Sequence, residues 1–94
     1  MDKPIYPFTL YKCFDTFVEG TLVYFSNSRT DEIETMLILS VTSKKNESSY
    51  RYEAEVYYDN KKQILWIVVE NNETIVMSIP KLGVTGYVLN WIRP

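Results

Sequence analysis

The side chains with the greatest chemical potential in this sequence are carboxylates placed close together. Glu53 and Glu55 stand two residues apart, which on one face of a β-strand separates them by roughly 7 Å. Glycosidases use two carboxyl groups at about such a separation. No cleft is implied around this pair, so we interpret both as solvated side chains of a strand. A second acidic cluster comprises Asp31, Glu32 and Glu34.

Nucleophiles and metal ligands are scarce. The chain contains no histidine, which is the commonest general base and transition-metal ligand. Its one cysteine, Cys13, lies on a predicted apolar stripe, so a buried inert thiol is the favoured interpretation. The glycines at 20, 83 and 86 are too dispersed for a phosphate-binding loop, and no calcium, zinc or nucleophile-elbow motif occurs. We therefore predict a protein without catalytic activity, metal or cofactor.

Length and composition set the class of protein. The 94 residues suffice for one domain, and an apolar content of 46% with 23% charged residues argues against disorder. A single cysteine excludes an intrachain disulfide and is typical of a reducing compartment. No apolar run approaches the roughly 18 residues that span a membrane, and the first twenty residues lack a secretory pattern. The sequence therefore predicts a soluble cytoplasmic protein.

The charge balance disfavours nucleic acid as the main partner. Ten basic residues are spread among twelve acidic ones, for a net charge of -2, whereas duplex binding needs clustered lysine and arginine. The best candidate for stacking single-stranded bases is the run Tyr50–Tyr52, with Arg51 and Tyr57 on one side. A small barrel that binds single-stranded nucleic acid is therefore kept as an alternative.

Residues 20–94 are predicted to form an antiparallel β-meander, preceded by an N-terminal arm at 1–19. Polar segments rich in asparagine separate runs of β-branched and aromatic residues, as in chains of hairpins. The predicted strands are Thr21–Ser26, Glu34–Ser43, Tyr50–Tyr58, Gln63–Glu70, Thr74–Ile79 and Tyr87–Ile92. The fold class expected from this pattern is mainly β: a single small barrel or a curled sheet of five to six strands.

The N-terminal arm carries the spacing of a short amphipathic helix. Apolar residues at i, i+3, i+4, i+7 and i+8 lie on one helical face. They are Leu10, Cys13, Phe14, Phe17 and Val18. Thr9 could cap the start of this helix, and Gly20 could end it.

The segment Gln63–Glu70 has an unusual apolar pattern. The preceding strand alternates, but this one is apolar on both faces. A two-residue turn at Asn60-Lys61 places Val56 opposite Leu65, while a three-residue turn exchanges the two faces, because a slip of one residue flips every side chain. Either register leaves three large apolar side chains on a second face.

The next hairpin extends this second face. A turn at Asn71-Asn72 places Trp66 opposite Met77 and Val68 opposite Ile75. The predicted second face consists of Tyr57, Ile64, Trp66, Val68, Ile75, Met77 and Ile79. The predicted partner-binding residues are Tyr57, Ile64, Trp66, Val68, Met77 and Arg51. Three covers are open for this face. The first is the chain itself, through the N-terminal helix or through a curl of the sheet that Trp91 closes. The others are a second copy of the chain in a homodimer and a different protein.

The order of these elements resembles small SH3-like barrels. "FVEGTLVYFS" is similar to a first strand entered through a glycine, "NSRTDEIET" to the wandering loop that follows, and "IPKLG" to the turn before the last strand. The extra hairpin at Asn71-Asn72 departs from the simplest five-strand version. Similar barrels occur among short phage-encoded proteins, and the richness in Lys, Asn, Ile and Tyr suits an AT-rich genome.

The residues and the resemblance together indicate a role in binding. We expect a non-catalytic protein-binding module, a phage-type accessory protein that docks on a host protein or within an assembly. The alternatives are the single-stranded nucleic-acid-binding barrel described above and a homodimeric structural protein.

Overall fold

The computed structural model describes residues 17–46, 50–70 and 74–94 of the chain. The strands are β1 (Leu22–Asn27), β2 (Ile33–Asn46), β3 (Tyr50–Tyr58), β4 (Lys61–Glu70), β5 (Thr74–Ile79) and β6 (Val84–Ile92). Each strand pairs antiparallel with the next, and β6 pairs with β1, so the sheet closes into a barrel. This confirms the mainly β prediction, and β3 and β5 begin and end where the sequence placed them.

The barrel is consistent with the SH3-like resemblance. A 3₁₀ turn at Pro80–Leu82 precedes the last strand, as expected from "IPKLG". Proline fits the start of this turn because its missing N–H is not needed there. Gly83 ends the turn with a φ of 66°, a conformation that glycine adopts without strain. The barrel has six strands, one more than the simplest five-strand version, and the pairing of β6 with β1 completes the closure.

The predicted N-terminal helix lies outside the described residues except at its last two positions. Phe17 and Val18 are not helical, so the helix does not extend to them. The Val18 carbonyl accepts a hydrogen bond from the Thr21 N–H at 3.0 Å, closing a turn that Gly20 allows with a φ of 93°. The chain therefore enters β1 through a tight turn rather than from a helix.

The hairpin between β3 and β4 has the face assignment of the two-residue alternative. Its turn is Asp59-Asn60, one residue earlier than predicted, and both residues have positive φ, of 57° and 63°. Such a pair matches the twist of the flanking strands, and Asp and Asn tolerate this conformation. Ala54 pairs with Leu65 as a result, and both side chains point into the barrel.

The hairpin between β4 and β5 differs from its predicted register by one residue. Ile67 pairs with Met77, whereas the predicted turn placed Trp66 opposite Met77. The slip reverses every side chain of β5, so Ile75, Met77 and Ile79 are buried, and their placement on the second face was wrong. The observed register buries the larger apolar side chains of β5, which gains more transfer free energy than burying Val76 and Ser78.

Side chains from every strand fill the interior. The buried apolar side chains are Phe17, Val23, Phe25, Met36, Ile38, Tyr52, Ala54, Val56, Leu65, Ile67, Ile75, Met77, Ile79 and Val84. Phe17 closes one end of the barrel: its ring packs edge-on against Tyr52 and Trp91, with ring centroids 6.1 Å and 5.0 Å away. The Tyr52 hydroxyl donates a hydrogen bond to the Phe17 carbonyl. The core thus continues through the residue that precedes the entry turn.

Candidate functional site

Four of the six predicted binding residues lie on the outer wall of the barrel. Tyr57 is 47% exposed and Ile64 is 37% exposed, while Trp66 and Val68 are half-buried. The sequence therefore placed these four side chains on the correct face of β3 and β4. No contact in the structure tests whether they bind a partner.

The other two predicted residues do not join this surface. Met77 is fully buried in the core, because the β4–β5 register differs by one residue from the predicted one. Arg51 pairs through its backbone with Val68, but its side chain lies outside the described part of the structure.

Carboxylates interrupt the apolar side chains on the outer wall of β3 and β4. Glu53 pairs with Trp66, and Glu55 pairs with Ile64. Glu55 also accepts a hydrogen bond from the Ser40 hydroxyl at 3.3 Å. A partner covering this wall would have to desolvate both carboxylates, which costs free energy unless they are paired with cations.

An uncharged surface lies on the outer wall of β6, β1 and β2. We call it the charge-free face; its residues are Thr85, Tyr87, Leu89, Asn90, Ile92, Leu22, Tyr24, Ser26, Ile33, Thr35 and Leu37. None of these described side chains carries a charge. Tyr87, Leu89, Ile92 and Ile33 are each between 51% and 66% exposed. Most of the exposed large apolar side chains of the barrel are therefore concentrated on these three strands.

Backbone pairing brings these residues side by side. Ile92 pairs with Leu22, and Leu22 pairs with Leu37, forming an apolar row across three strands. Tyr57 pairs with Leu37 and continues the row onto β3. A parallel row runs through Ser26, which pairs with Tyr87 on one side and Ile33 on the other. The face is thus a continuous surface that joins the first two strands, β1 and β2, to the last strand, β6.

The acidic residue of β2 is turned away from this face. Glu34 accepts a hydrogen bond from the Tyr58 hydroxyl and another, at 3.3 Å, from the Asn27 side-chain amide. Asn27 is buried, and its side-chain oxygen accepts the Arg29 backbone N–H at 2.9 Å. This network holds the carboxylate over one end of the barrel, so β2 presents only neutral side chains to the outside between Ile33 and Leu37.

The same network affects the ionisation of Tyr58. Burial, the hydrogen bond to Glu34 and the negative charges of Glu34 and Asp59 raise the pKa of Tyr58 from 10.0 to about 12. Because the folded-state pKa is the higher one, the network's stabilisation is complete below pH 10 and is lost as the pH rises towards 12. We expect a tyrosinate absorbance titration to include a late-ionising step near pH 12 that Tyr58→Phe removes. If Tyr58→Phe instead removes amplitude from the step near pH 10, the network is contradicted.

Within the described ranges, no group of three or more Asp, Glu, Cys or His side chains gathers closely enough to hold a metal ion. The described residues also include no helix that is long and apolar enough to cross a membrane. No protein-family model matches this chain, and neither does any curated protein or solved structure.

Proposed function

We propose that this chain is a non-catalytic protein-binding module that docks on another protein chain through the charge-free face. The observation that carries this proposal is the concentration of Tyr87, Leu89, Ile92 and Ile33, all half-exposed or more, on three adjacent strands without a charged side chain. On the β3–β4 wall, by contrast, the carboxylates Glu53 and Glu55 lie opposite Trp66 and Ile64.

The composition of the face matches the centre of a protein–protein interface. Such centres are depleted in charged residues and enriched in aromatic and apolar ones. Contiguous exposed apolar patches are uncommon on soluble monomers and are often functional. Tyrosines such as Tyr24 and Tyr87 add apolar area and a hydroxyl that can form hydrogen bonds at the rim. A face without lysine or arginine also has nothing to pair with phosphates.

The proposal includes the narrower role of a phage-type accessory protein acting in the cytoplasm of a host cell. The small barrel fold and the richness of the sequence in Lys, Asn, Ile and Tyr support that role. Docking within an assembly needs no catalytic group, which agrees with the absence of histidine from the chain.

Leu89→Lys is expected to weaken docking at least about tenfold, because it puts a charge into the proposed contact. The barrel should stay folded, because Leu89 is half-exposed. The measurement is capture of protein by the immobilised chain from cells that carry its gene, compared for wild type and variant across a salt series. Wild-type capture should persist at high salt, because apolar contacts are not screened. A steep loss of capture with salt, with nucleic acid in the bound fraction, would contradict the proposal.

A further inference from the structure

We propose that the occupant of the charge-free face is a second copy of the same chain, arranged about a twofold axis that lies in the plane of the contact, at right angles to β1. This inference rests on the proposed function and names its partner. Three properties of the face support it: its lack of charge, the arrangement of its large and small side chains, and its area.

The charge pattern suits a contact between identical surfaces. In a twofold-symmetric interface the same patch contributes from both copies. Any charge near the axis therefore meets a like charge, and that repulsion is costly. A different protein is usually matched by opposite charges, which steer the encounter. The described side chains of β1, β6 and the first half of β2 offer no outward charge for such matching, and the surface that complements them best is equally uncharged.

The large and small side chains of the face are arranged so that two copies can fit against each other. Ser26 has the smallest outward side chain of β1, and the larger side chains of Tyr87 and Ile33 pair with it on either side. Two residues earlier on the same strand, Tyr24 has the smaller Thr35 and Asn90 as its neighbours.

A twofold axis that passes between Tyr24 and Ser26 would therefore place each tyrosine ring over the serine of the other copy. Two sheets packed face to face lie about 10 Å apart, a spacing that side chains of this size can fill. The β1 strands of the two copies would then run antiparallel across the contact.

The area of the face fits a weak dimer. The half-exposed side chains of the face offer on the order of 500 Å² per copy. Two copies would bury about 1,000 Å² together, near the lower limit for a specific interface. We therefore expect a dissociation constant on the order of micromolar, so that the dimer forms and separates within an accessible concentration range.

The test is sedimentation velocity of the full chain from about 1 to 100 µM. The average mass measured for the wild type should approach twice the chain mass of 11.1 kDa as concentration rises. Tyr24→Asp and Ser26→Lys should each weaken self-association at least about tenfold, because each buries an unpaired charge twice. An equimolar mixture of the two variants should recover association, because one aspartate then lies over one lysine. Thermal unfolding of each variant establishes that it is folded, and Leu89→Lys, at a half-exposed position, provides an independent disruption.

Three results would overturn the dimer. One is a wild-type monomer throughout the range, which would leave another protein or residues 1–16 as the occupant. Another is self-association that Leu89→Lys and Ser26→Lys leave unchanged. The third is a mixture of the two folded variants, Tyr24→Asp and Ser26→Lys, that does not recover self-association.

If wild type is monomeric but Leu89→Lys still abolishes capture, the dimer fails and the proposed function stands. If capture also survives Leu89→Lys, both fail.

Discussion

Gly86→Ala is expected to destabilise the barrel by about 3 kcal/mol or more, because the new methyl group has no space. A Cβ at this position would lie 1.9 Å from the Ser26 carbonyl oxygen and 2.9 Å from its carbonyl carbon. Both are backbone atoms of the neighbouring strand, so no side-chain rotation relieves the clash. Gly86 pairs with Asn27 at the junction of β6 and β1. The substitution must therefore push apart the two strands that form the centre of the charge-free face.

The measurement for Gly86→Ala is urea-induced unfolding beside a matched glycine control. Gly83→Ala also introduces a methyl group, but its nearest contact is the flexible Arg29 side chain at 3.6 Å. Its cost comes only from the positive φ of 66° and should be about 1 to 2 kcal/mol. Equal stability losses in the two variants would mean that β1 and β6 do not approach as closely as described.

Phe17→Ala should cost about 3 to 5 kcal/mol of unfolding free energy. The Phe17 side chain is completely buried and packs edge-on against both Tyr52 and Trp91. Its removal opens a cavity at one end of the barrel and exposes the inner surface of Tyr52. Because Trp91 is next to Ile92, this cavity would also loosen the edge of the charge-free face.

Two further substitutions separate packing from hydrogen bonding at this end. Phe17→Leu keeps most of the buried volume and should lose well under half as much stability as Phe17→Ala. Tyr52→Phe keeps the ring, removes the hydrogen bond to the Phe17 carbonyl and should cost about 1 kcal/mol. Denaturation in urea compares the three variants. A loss below 1 kcal/mol in Phe17→Ala would show that the barrel end is closed by other residues.

Local patterns in this sequence were sufficient to predict the strands. Alternation in Tyr50–Tyr58 defined β3 and its inner face, whereas the inner face of β4 depended on the length of the following turn, which the sequence left open. The register of β5 was not predictable in the same way, because Ile75 and Val76 are both apolar and either could face inward. Burying Met77 and Ile79 requires one particular pairing with β4, and that pairing depends on the whole core.

The candidate site was harder to predict than the strands. The sequence shows an excess of apolar residues in β4, and this excess predicted a binding site at Trp66 and its neighbours. The charge-free face leaves a weaker signal. Its members alternate with core residues on β1 and the first half of β2, and on β6 a register shift leaves both Leu89 and Asn90 exposed. Its residues become neighbours only when β6 pairs with β1, which joins positions more than sixty residues apart in the chain. Barrel closure is a global property, and no local spacing reports it.

The matched pair Leu89→Lys and Ile64→Lys tests the docking claim most directly. Both changes put a lysine at an exposed apolar position on the outer wall, one on the charge-free face and one on the β3–β4 wall. Both variants should unfold within about 0.5 kcal/mol of wild type, as surface substitutions usually do. Capture of protein by the immobilised chain should fall at least about tenfold in Leu89→Lys and stay unchanged in Ile64→Lys. The opposite pattern would contradict the account and place docking on the β3–β4 wall.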